Sequence, residues 1–193
     1  MQSASLVPMK DIRGYLTEDQ VIMLINNADS LRDELLIRLM YYCARRVSEV
    51  LKITPHNIIA NERIIIFPLE KKKGKVLLRV PVNQETLKKL LYYIKIKKIG
   101  PKTRIFKIKR VQVYNIIRRI GKKCGIEKVG EKWIHPHVLR HSFCINWVKK
   151  GGSSQEEMRK LQMILGHANI ATTMFYLQFS PIEVRSSYDK YIK

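Results

Sequence analysis

The sequence has few acidic residues for its size. Asp and Glu together number 16 against 37 Lys and Arg, which gives a formal net charge of +21 at pH 7. Heat-adapted basic chains usually match their lysines with glutamates, and this chain does not. A large excess of positive charge is typical of proteins that bind polyanions, because neutralising phosphates releases counterions. The composition therefore favours a nucleic-acid partner over a generic basic surface.

Cysteines and long apolar runs are also scarce. Cys43, Cys124 and Cys144 are odd in number and far apart, which argues against a disulfide framework or a zinc ribbon and favours reduced thiols. No apolar run approaches the ~20 residues that span a bilayer, and residues 1–10 lack the core of a signal peptide. The sequence predicts a cytoplasmic protein, in a prokaryotic cell or the host cell of a virus or plasmid, with no membrane partner.

Apolar residues make up 46% of the chain, and most of them recur at helical spacing. Thr17 and Gln20 form a capping box at the start of the first helix, and Ser30 is expected to cap the second. Gly125 has the position of a helix stop. Beyond those two starts, helices are predicted over 45–51, 83–98, 111–124, 136–150, 154–165, 172–178 and 181–193.

One stretch has the composition of strands. Asn57–Leu69 and Lys75–Val82 are rich in Ile and Val and flank a basic turn, so two antiparallel strands are predicted. The predicted fold class is mainly α with a small antiparallel β-sheet, an α+β fold. Residues 1–14 are unpatterned and are expected to be a linker or a chain boundary ahead of one domain over 15–193.

Three side chains that suit phosphate chemistry share one face of a predicted helix. His137, Arg140 and His141 are spaced i, i+3 and i+4 from a start near Pro136. A metalloprotease would have Glu where Val138 stands, so no metal site is predicted. Beside a phosphate, this face offers a planar guanidinium and imidazoles for hydrogen bonding or proton transfer. The alternative for His141 alone is a satisfied core histidine.

A second motif pairs an arginine with a glutamate. In the run Arg45–Glu49, the i, i+3 spacing lets Glu49 hold the guanidinium of Arg46 in a fixed pose. An isolated pair of this kind is usually a surface salt bridge, which contributes little.

A third motif is the basic turn between the predicted strands, where Lys71, Lys72, Lys73, Gly74 and Lys75 follow one another. Such a run is commonly a solvated charge cluster. At the tip of a hairpin, however, it can place one ammonium group in a DNA groove.

Tyr176 is distinguished by its position. Gly166 ends a predicted helix and His167 follows, while Thr172-Thr173 can cap a short helix that brings the phenol close to that histidine. A tyrosine near several cations suits attack on a phosphodiester, where negative charge develops. Such a pocket is expected to lower the pKa of the phenol from its usual value of about 10.

Together these motifs resemble the tyrosine recombinases, the family of Xer recombinases, lambda-type integrases and Cre. All five boxes of the family occur in its order and span most of the chain. They are Arg46–Glu49, Lys73-Gly74 ahead of Val80-Pro81, the box of His137, Arg140 and His141, Leu165–His167, and Tyr176. The resemblance implies the catalytic-domain fold of that family.

The chain departs from the family pattern in two ways. The segment Gly151–Arg159 is a few residues longer than the usual link between the last two boxes. The separate N-terminal domain that clamps DNA in this family (the core-binding domain) is not recognised, so residues 15–193 are expected to be the catalytic domain alone.

The resemblance assigns a role to each central residue. Tyr176 attacks the scissile phosphate in line and forms a 3′-phosphotyrosyl bond. Arg46 and Arg140 bind the non-bridging oxygens. His137 acts as base or hydrogen-bond partner for the phenol, and His167 contacts the phosphate.

The remaining roles concern the leaving group and the surroundings of the site. Lys73 would protonate the 5′ leaving oxygen, and no metal or nucleotide cofactor is implied, because the covalent intermediate conserves the bond energy. The other candidates support the site or contact DNA: Glu49 and His141 in the first role, and Arg45, Lys71, Lys72 and Lys75 in the second.

The implied function is a site-specific DNA recombinase or integrase. Its implied partners are double-stranded DNA and other subunits of the same protein, in a synaptic complex of four subunits on two sites. A type IB topoisomerase-like enzyme would use the same chemistry but rejoin the original strand. The non-enzymatic alternative is a basic DNA-binding regulator whose His/Arg/Tyr cluster is structural.

Overall fold

Helices make up most of the structure, alongside a small three-stranded sheet. The computed structural model describes residues 14–69 and 76–179. The basic turn at 71–75, the predicted helix over 181–193 and nearly all of the predicted linker lie outside the described residues. The predicted fold class, mainly α with a small antiparallel sheet, is confirmed.

The described elements follow the chain in this order. The helices are α1 (Glu18–Asn26), α2 (Leu31–Tyr42), α3 (Val47–Val50), α4 (Gln84–Ile96), α5 (Arg110–Lys123), α6 (Pro136–Lys149), α7 (Gln155–Leu165) and α8 (Ala171–Met174), with 3₁₀ turns at Pro55–Asn57 and Phe175–Phe179. The strands are β1 (Ile58–Ile59), β2 (Ile64–Pro68), β3 (Leu77–Pro81), β4 (Lys128–Val129) and β5 (Lys132–Trp133).

The helix ends follow the predicted signals. Thr17 Oγ1 accepts the Gln20 amide at 3.2 Å, and Gln20 Oε1 accepts the Thr17 amide at 2.9 Å. Ser30 and Ser154 cap α2 and α7 through their hydroxyl oxygens. Gly125 follows α5 in the left-handed region, with φ +67°, where only glycine is unstrained.

The sheet has one strand more than predicted. The segment 57–69 reverses over residues 60–63, with Arg63 at φ +54°, and forms both β1 and β2, so the prediction of a single strand there is wrong. β2 pairs antiparallel with both β1 and β3, and Ile65 stands opposite Val80. Both of these side chains are buried, so one face of the sheet packs on the core.

A second hairpin was missed from the sequence. β4 and β5 pair antiparallel around Gly130, which has φ +62°. Strands of two residues are too short to show an alternating pattern. The hairpin leads directly into α6, and His135 Nδ1 donates to the Trp133 carbonyl at 2.9 Å just before the helix begins.

α2 is the central helix of the fold. Every residue from Leu35 to Tyr41 is buried, because α2 packs against α1, α3, α4, α5 and α6. The helix has no solvent-facing side, and its buried Arg38 is paired with Glu34 and Glu85, so its sequence shows little amphipathic contrast. Its C-terminal end therefore provides a fixed point from which the next turn starts.

A smaller core joins α6 to α7. Its buried members are Ala44, Cys144, Val148, Met158, Leu161 and Leu165, and the partly buried Tyr176 and Leu177 pack against it. The three cysteines of the chain are free; Cys43 and Cys144 are buried, whereas Cys124 is only partly buried. Among the described residues, the helices are too short or too polar to cross a membrane.

We expect Gly121→Ala to destabilise the fold, because α5 approaches the segment ahead of α6 at this residue. An added Cβ would lie 2.6 Å from the Ile126 carbonyl oxygen and 2.8 Å from Ile134 Cγ2. Overpacking of this kind costs ~1–3 kcal/mol of unfolding free energy in urea titrations. Gly100→Ala is the matched control, since its Cβ would meet only Thr103 Oγ1 at 3.4 Å. Equal stability of the two variants would contradict this packing.

Candidate active site

Arg46 is held at the start of α3 by Glu49. The Arg46 amide donates to Glu49 Oε2 at 3.0 Å, and its Nη1 donates to Glu49 Oε1 at 2.9 Å. Glu49 is completely buried, whereas 21% of the Arg46 side chain is exposed. The pair is therefore no ordinary surface salt bridge, because a buried carboxylate directs this guanidinium toward solvent.

The same carboxylate faces two further arginines. Glu49 Oε2 lies 3.7 Å from Arg45 Nη1, and it lies 3.8 Å from Arg140 Nη1. One buried negative charge thus meets three guanidinium groups, those of Arg45, Arg46 and Arg140, which we call the arginine cluster. Burial of an unpaired charge is strongly unfavourable, so the carboxylate is needed here. The surplus of positive charge makes the arginine cluster a site for an anion.

Arg45 does not reach the surface. Its side chain is completely buried, Nε donates to the Cys43 carbonyl at 2.8 Å, and Nη2 donates to the Ile164 carbonyl. The guanidinium also lies over the ring of Phe67, 5.6 Å from its centroid. The prediction that Arg45 contacts DNA is wrong, because the residue ties the α2–α3 turn to the end of α7. Burial lowers the pKa of Arg45 to about 10.

Arg140, from α6, joins the same two segments. Its Nη1 donates to the Ala44 carbonyl at 3.0 Å, and its Nη2 lies 3.1 Å from both the Leu165 carbonyl and His167 Nε2. A guanidinium can only donate, so His167 Nε2 is the acceptor and the ring proton sits on Nδ1. Nδ1 then donates to Thr173 Oγ1 at 3.0 Å. His167 is therefore held as one neutral tautomer.

Thr173 has a different role from the predicted one. The sequence predicted that Thr172-Thr173 caps the last short helix, but α8 follows an N-cap at Ile170 that makes no side-chain cap bond. Thr173 is instead completely buried, and its hydroxyl orients His167. The spacing of six residues between these two gives no sequence signal of this contact.

Four of the predicted site residues surround one cavity of about 440 Å³, which we call the arginine cavity. Arg46, His137, Arg140 and His167 line it, as does Arg110 at the start of α5. Arg110 was missed from the sequence. The available signal was the basic run Lys107-Ile108-Lys109-Arg110 directly ahead of a predicted helix.

Tyr176 borders an adjoining cavity of about 500 Å³, the tyrosine cavity, which is also lined by His135 and His141. His137 and Arg140 line both cavities. The structure therefore places Arg46, Arg140, His137, His167 and Tyr176 around two cavities that share His137 and Arg140 in their lining.

The phenol of Tyr176 is withdrawn toward the small core. Its Oη lies 3.4 Å from His141 Nδ1, and it also contacts the buried thiol of Cys144. Burial and the Cys144 contact raise the pKa of Tyr176 above its usual range, so the expected lowering does not occur in this conformation. The imidazole at the phenol is that of His141, whereas the family resemblance implies His137 as its partner.

Both histidines on α6 favour the neutral form. Partial desolvation in the cleft, with the charges of His135 and Arg110, lowers the pKa of His137. Burial lowers the pKa of His141 in the same way. Each ring is thus available as a hydrogen-bond acceptor or base at neutral pH.

Two further predictions bear on the composition of the site. Lys71, Lys72, Lys73 and Lys75 lie outside the described residues. Within 14–69 and 76–179, the structure contains no group of three or more His, Cys, Asp or Glu side chains arranged to hold a metal ion.

Known proteins match this chain over most of its length. Residues 14–181 match the phage integrase family. The tyrosine recombinase XerA of Pyrococcus horikoshii is 30% identical over 191 residues, which cover 94% of this chain and 62% of the relative. A tyrosine recombinase of Pseudothermotoga lettingae is 33% identical over 151 residues, covering 76% of this chain and 49% of the relative. The chain thus spans between 49% and 62% of these two relatives.

Solved structures share the fold. The crystal structure of XerA recombinase matches with a TM-score of 0.73 and 28% identity, covering 93% of this chain and 65% of that one. The catalytic domain of bacteriophage HP1 integrase matches in fold with a TM-score of 0.66 and 24% identity, covering 93% and 95%. XerH bound to palindromic difH substrate, a post-cleavage complex, matches in fold with a TM-score of 0.75 and 20% identity, covering 93% and 53%. By its sequence match, the chain belongs to the phage integrase family.

Proposed function

We propose that residues 15–193 form the catalytic domain of a site-specific DNA recombinase or integrase that cleaves and rejoins strands through a 3′-phosphotyrosyl intermediate. One observation carries the proposal. Arg46, Arg140 and His167 line a cavity that shares His137 and Arg140 with the tyrosine cavity, and we call the region between these two shared residues the junction. A phosphate at that junction lies between cationic donors and a nucleophile, as phosphoryl transfer requires.

The arginines recognise the scissile phosphate. Arg46 and Arg140 donate to its non-bridging oxygens, where negative charge increases in the transition state. His167 contacts the phosphate once its Nε2 carries a proton, since without DNA that nitrogen accepts from Arg140. Because the arginine cluster is already ordered by Glu49 and by backbone carbonyls, little reorganisation accompanies this step.

The nucleophile has to move before it reacts. In its withdrawn pose Tyr176 contacts Cys144 and His141 and favours the neutral phenol. Swinging toward Arg140 and the phosphate exchanges apolar burial for positive charge, which favours phenolate. His137, at the junction, then accepts the phenolic proton.

The cleavage step balances without a cofactor. The bond from Tyr176 Oη to phosphorus forms, the bond from phosphorus to the 5′ oxygen breaks, and Lys73 supplies the proton to that leaving oxygen. In strand exchange, a 5′-hydroxyl of a second duplex attacks the phosphotyrosyl bond and releases the tyrosine. Lys71, Lys72 and Lys75 contact the DNA backbone beside Lys73.

The proposed partners are double-stranded DNA and further subunits of this protein, four on two sites. The formal net charge of +21 supports the first partner, and the XerH structure is described as bound to its difH substrate. Strand exchange between two duplexes requires two cleaved sites, which supports the second. We place this reaction in the cytoplasm of a prokaryotic cell or of the host cell of a virus or plasmid.

We expect wild-type protein to form a covalent adduct with DNA that Tyr176→Phe cannot form. A library of random-sequence duplexes, each carrying a nick that lets the cleaved fragment diffuse away, traps the intermediate. After denaturation, protein-linked DNA is counted and sequenced, which also identifies the target. Tyr176→Phe should retain DNA affinity, since only one oxygen is lost, and the exposed Tyr92 on α4 supplies the control Tyr92→Phe. An undiminished adduct in Tyr176→Phe would assign the nucleophile to another tyrosine.

We expect Arg46→Ala to reduce single-turnover cleavage of the recovered duplex by about a hundredfold or more, because it removes donors aimed at developing charge. Affinity for the duplex should fall far less. Arg46→Lys keeps the charge without the planar fork and should give an intermediate rate. A loss of binding as large as the loss of rate would make Arg46 an ordinary phosphate contact.

We expect the cleavage rate to rise with pH as His137 loses its proton, with the midpoint of the rise below 6.5, the ordinary pKa of histidine. From about pH 7 to about pH 9 the rate should stay level. The sign follows from the lowered pKa of His137, which makes the base form available already at neutral pH. In His137→Ala the rate should be lower and should keep rising across the same range, toward the raised pKa of the phenol. His56→Ala, at an exposed site, is the control. A sloping wild-type profile above about pH 7 would argue against a histidine base.

A further inference from the structure

Arg110 brings a third element of the fold to the arginine cavity. Arg46 stands at the start of α3 and Arg140 lies on α6, whereas Arg110 is the first residue of α5. α5 packs against both α3 and α6. The core therefore sets the position of Arg110 relative to the other two arginines.

The side chain of Arg110 is also oriented. Its Nη2 donates to Tyr114 Oη at 3.1 Å, and its guanidinium lies over the Tyr114 ring, 5.6 Å from the centroid. A stacked guanidinium has fewer rotamers to lose when it binds an anion. The positive charge of Arg110 also contributes to the lowered pKa of His137, which lines the same cavity.

Arg110 lines the arginine cavity but not the tyrosine cavity, and in the proposed function Arg46 and Arg140 already supply the donors for the scissile phosphate. Tyr176 borders the tyrosine cavity and Arg110 borders the arginine cavity, while His137 and Arg140 line both. A phosphate within reach of Tyr176 lies at the junction. The arginine cavity, about 440 Å³, is lined by residues of α3, α5 and α6, so it has room for more of a DNA strand than a single phosphate group.

We propose that Arg110 binds a phosphodiester adjacent to the scissile one on the same DNA strand. This subsite rests on the proposed function, since it requires a cleaved strand to lie in the arginine cavity. Contact with a neighbouring phosphate fixes the register of the strand, which decides the phosphodiester that faces Tyr176.

The test measures binding without cleavage, in a Tyr176→Phe background, with the duplex recovered by covalent trapping. Arg110→Ala should weaken binding about tenfold and reduce the salt dependence of the affinity by about one phosphate contact. Duplexes with one neutral methylphosphonate, at the scissile phosphate or at either neighbour, locate the contact. At one of the two neighbouring positions, the penalty of Arg110→Ala should disappear. Arg118→Ala, an exposed arginine on the same helix, should show no position-dependent penalty.

Each of the other possible results would contradict the proposed subsite, and each has a different meaning. A penalty that disappears only with the scissile methylphosphonate would make Arg110 part of the scissile-phosphate site. A penalty that persists on every duplex, or that Arg118→Ala shares, would reduce Arg110 to general basic charge. If the parent protein binds no duplex, the proposed function itself fails. If the parent binds and Arg110→Ala binds equally well, the subsite alone fails.

Discussion

The buried carboxylate of Glu49 is the interaction on which the site depends. It accepts two hydrogen bonds from Arg46 and is the counter-charge within 4 Å of Arg45 and Arg140, at 3.7 and 3.8 Å. Without it, three guanidinium groups would repel one another in a medium that screens charge poorly. Arg45 would suffer most, because its completely buried side chain cannot turn out to water. The carboxylate thus makes a concentrated cationic site compatible with a stable core.

Carbonyl groups at helix ends are the other acceptors for the buried arginines. Arg45 and Arg140 donate to carbonyls at the end of α2, from Cys43 and Ala44, and at the end of α7, from Ile164 and Leu165. The last carbonyls of a helix lack partners within the helix and carry its negative dipole end. Two arginines therefore cap two helices at once, and the arrangement of the boxes around the site follows from this shared capping.

Sequence reasoning found the residues whose chemistry follows from local spacing. His137 and Arg140 share a helix face because of their i, i+3 separation, and the Arg46–Glu49 pair follows the same rule. Sequence reasoning could not predict contacts between residues that are distant in the chain. The burial of Arg45 depends on α7, more than a hundred residues away, and the approach of Arg110 depends on how α5 packs. The basic neighbourhood of Tyr176 suggested an acidic phenol, yet its hydroxyl packs on Cys144, where burial raises the pKa.

The arginine cavity is charged whereas Tyr176 is buried and neutral, and this difference explains how the site can be unreactive before substrate binds. The arginine cluster is rigid and positively charged before DNA arrives, whereas Tyr176 rests as a neutral phenol on a small core beside a thiol that stays protonated, since burial raises the pKa of Cys144 to about 11. In the proposed mechanism, movement of Tyr176 toward the arginines favours phenolate, and the scissile phosphate lies where that movement leads. The scarcity of acidic residues in the sequence also matters within the arginine cavity. A further carboxylate in the arginine cavity would occupy the donors that a phosphodiester needs and would leave the phenol with no cationic surroundings to enter.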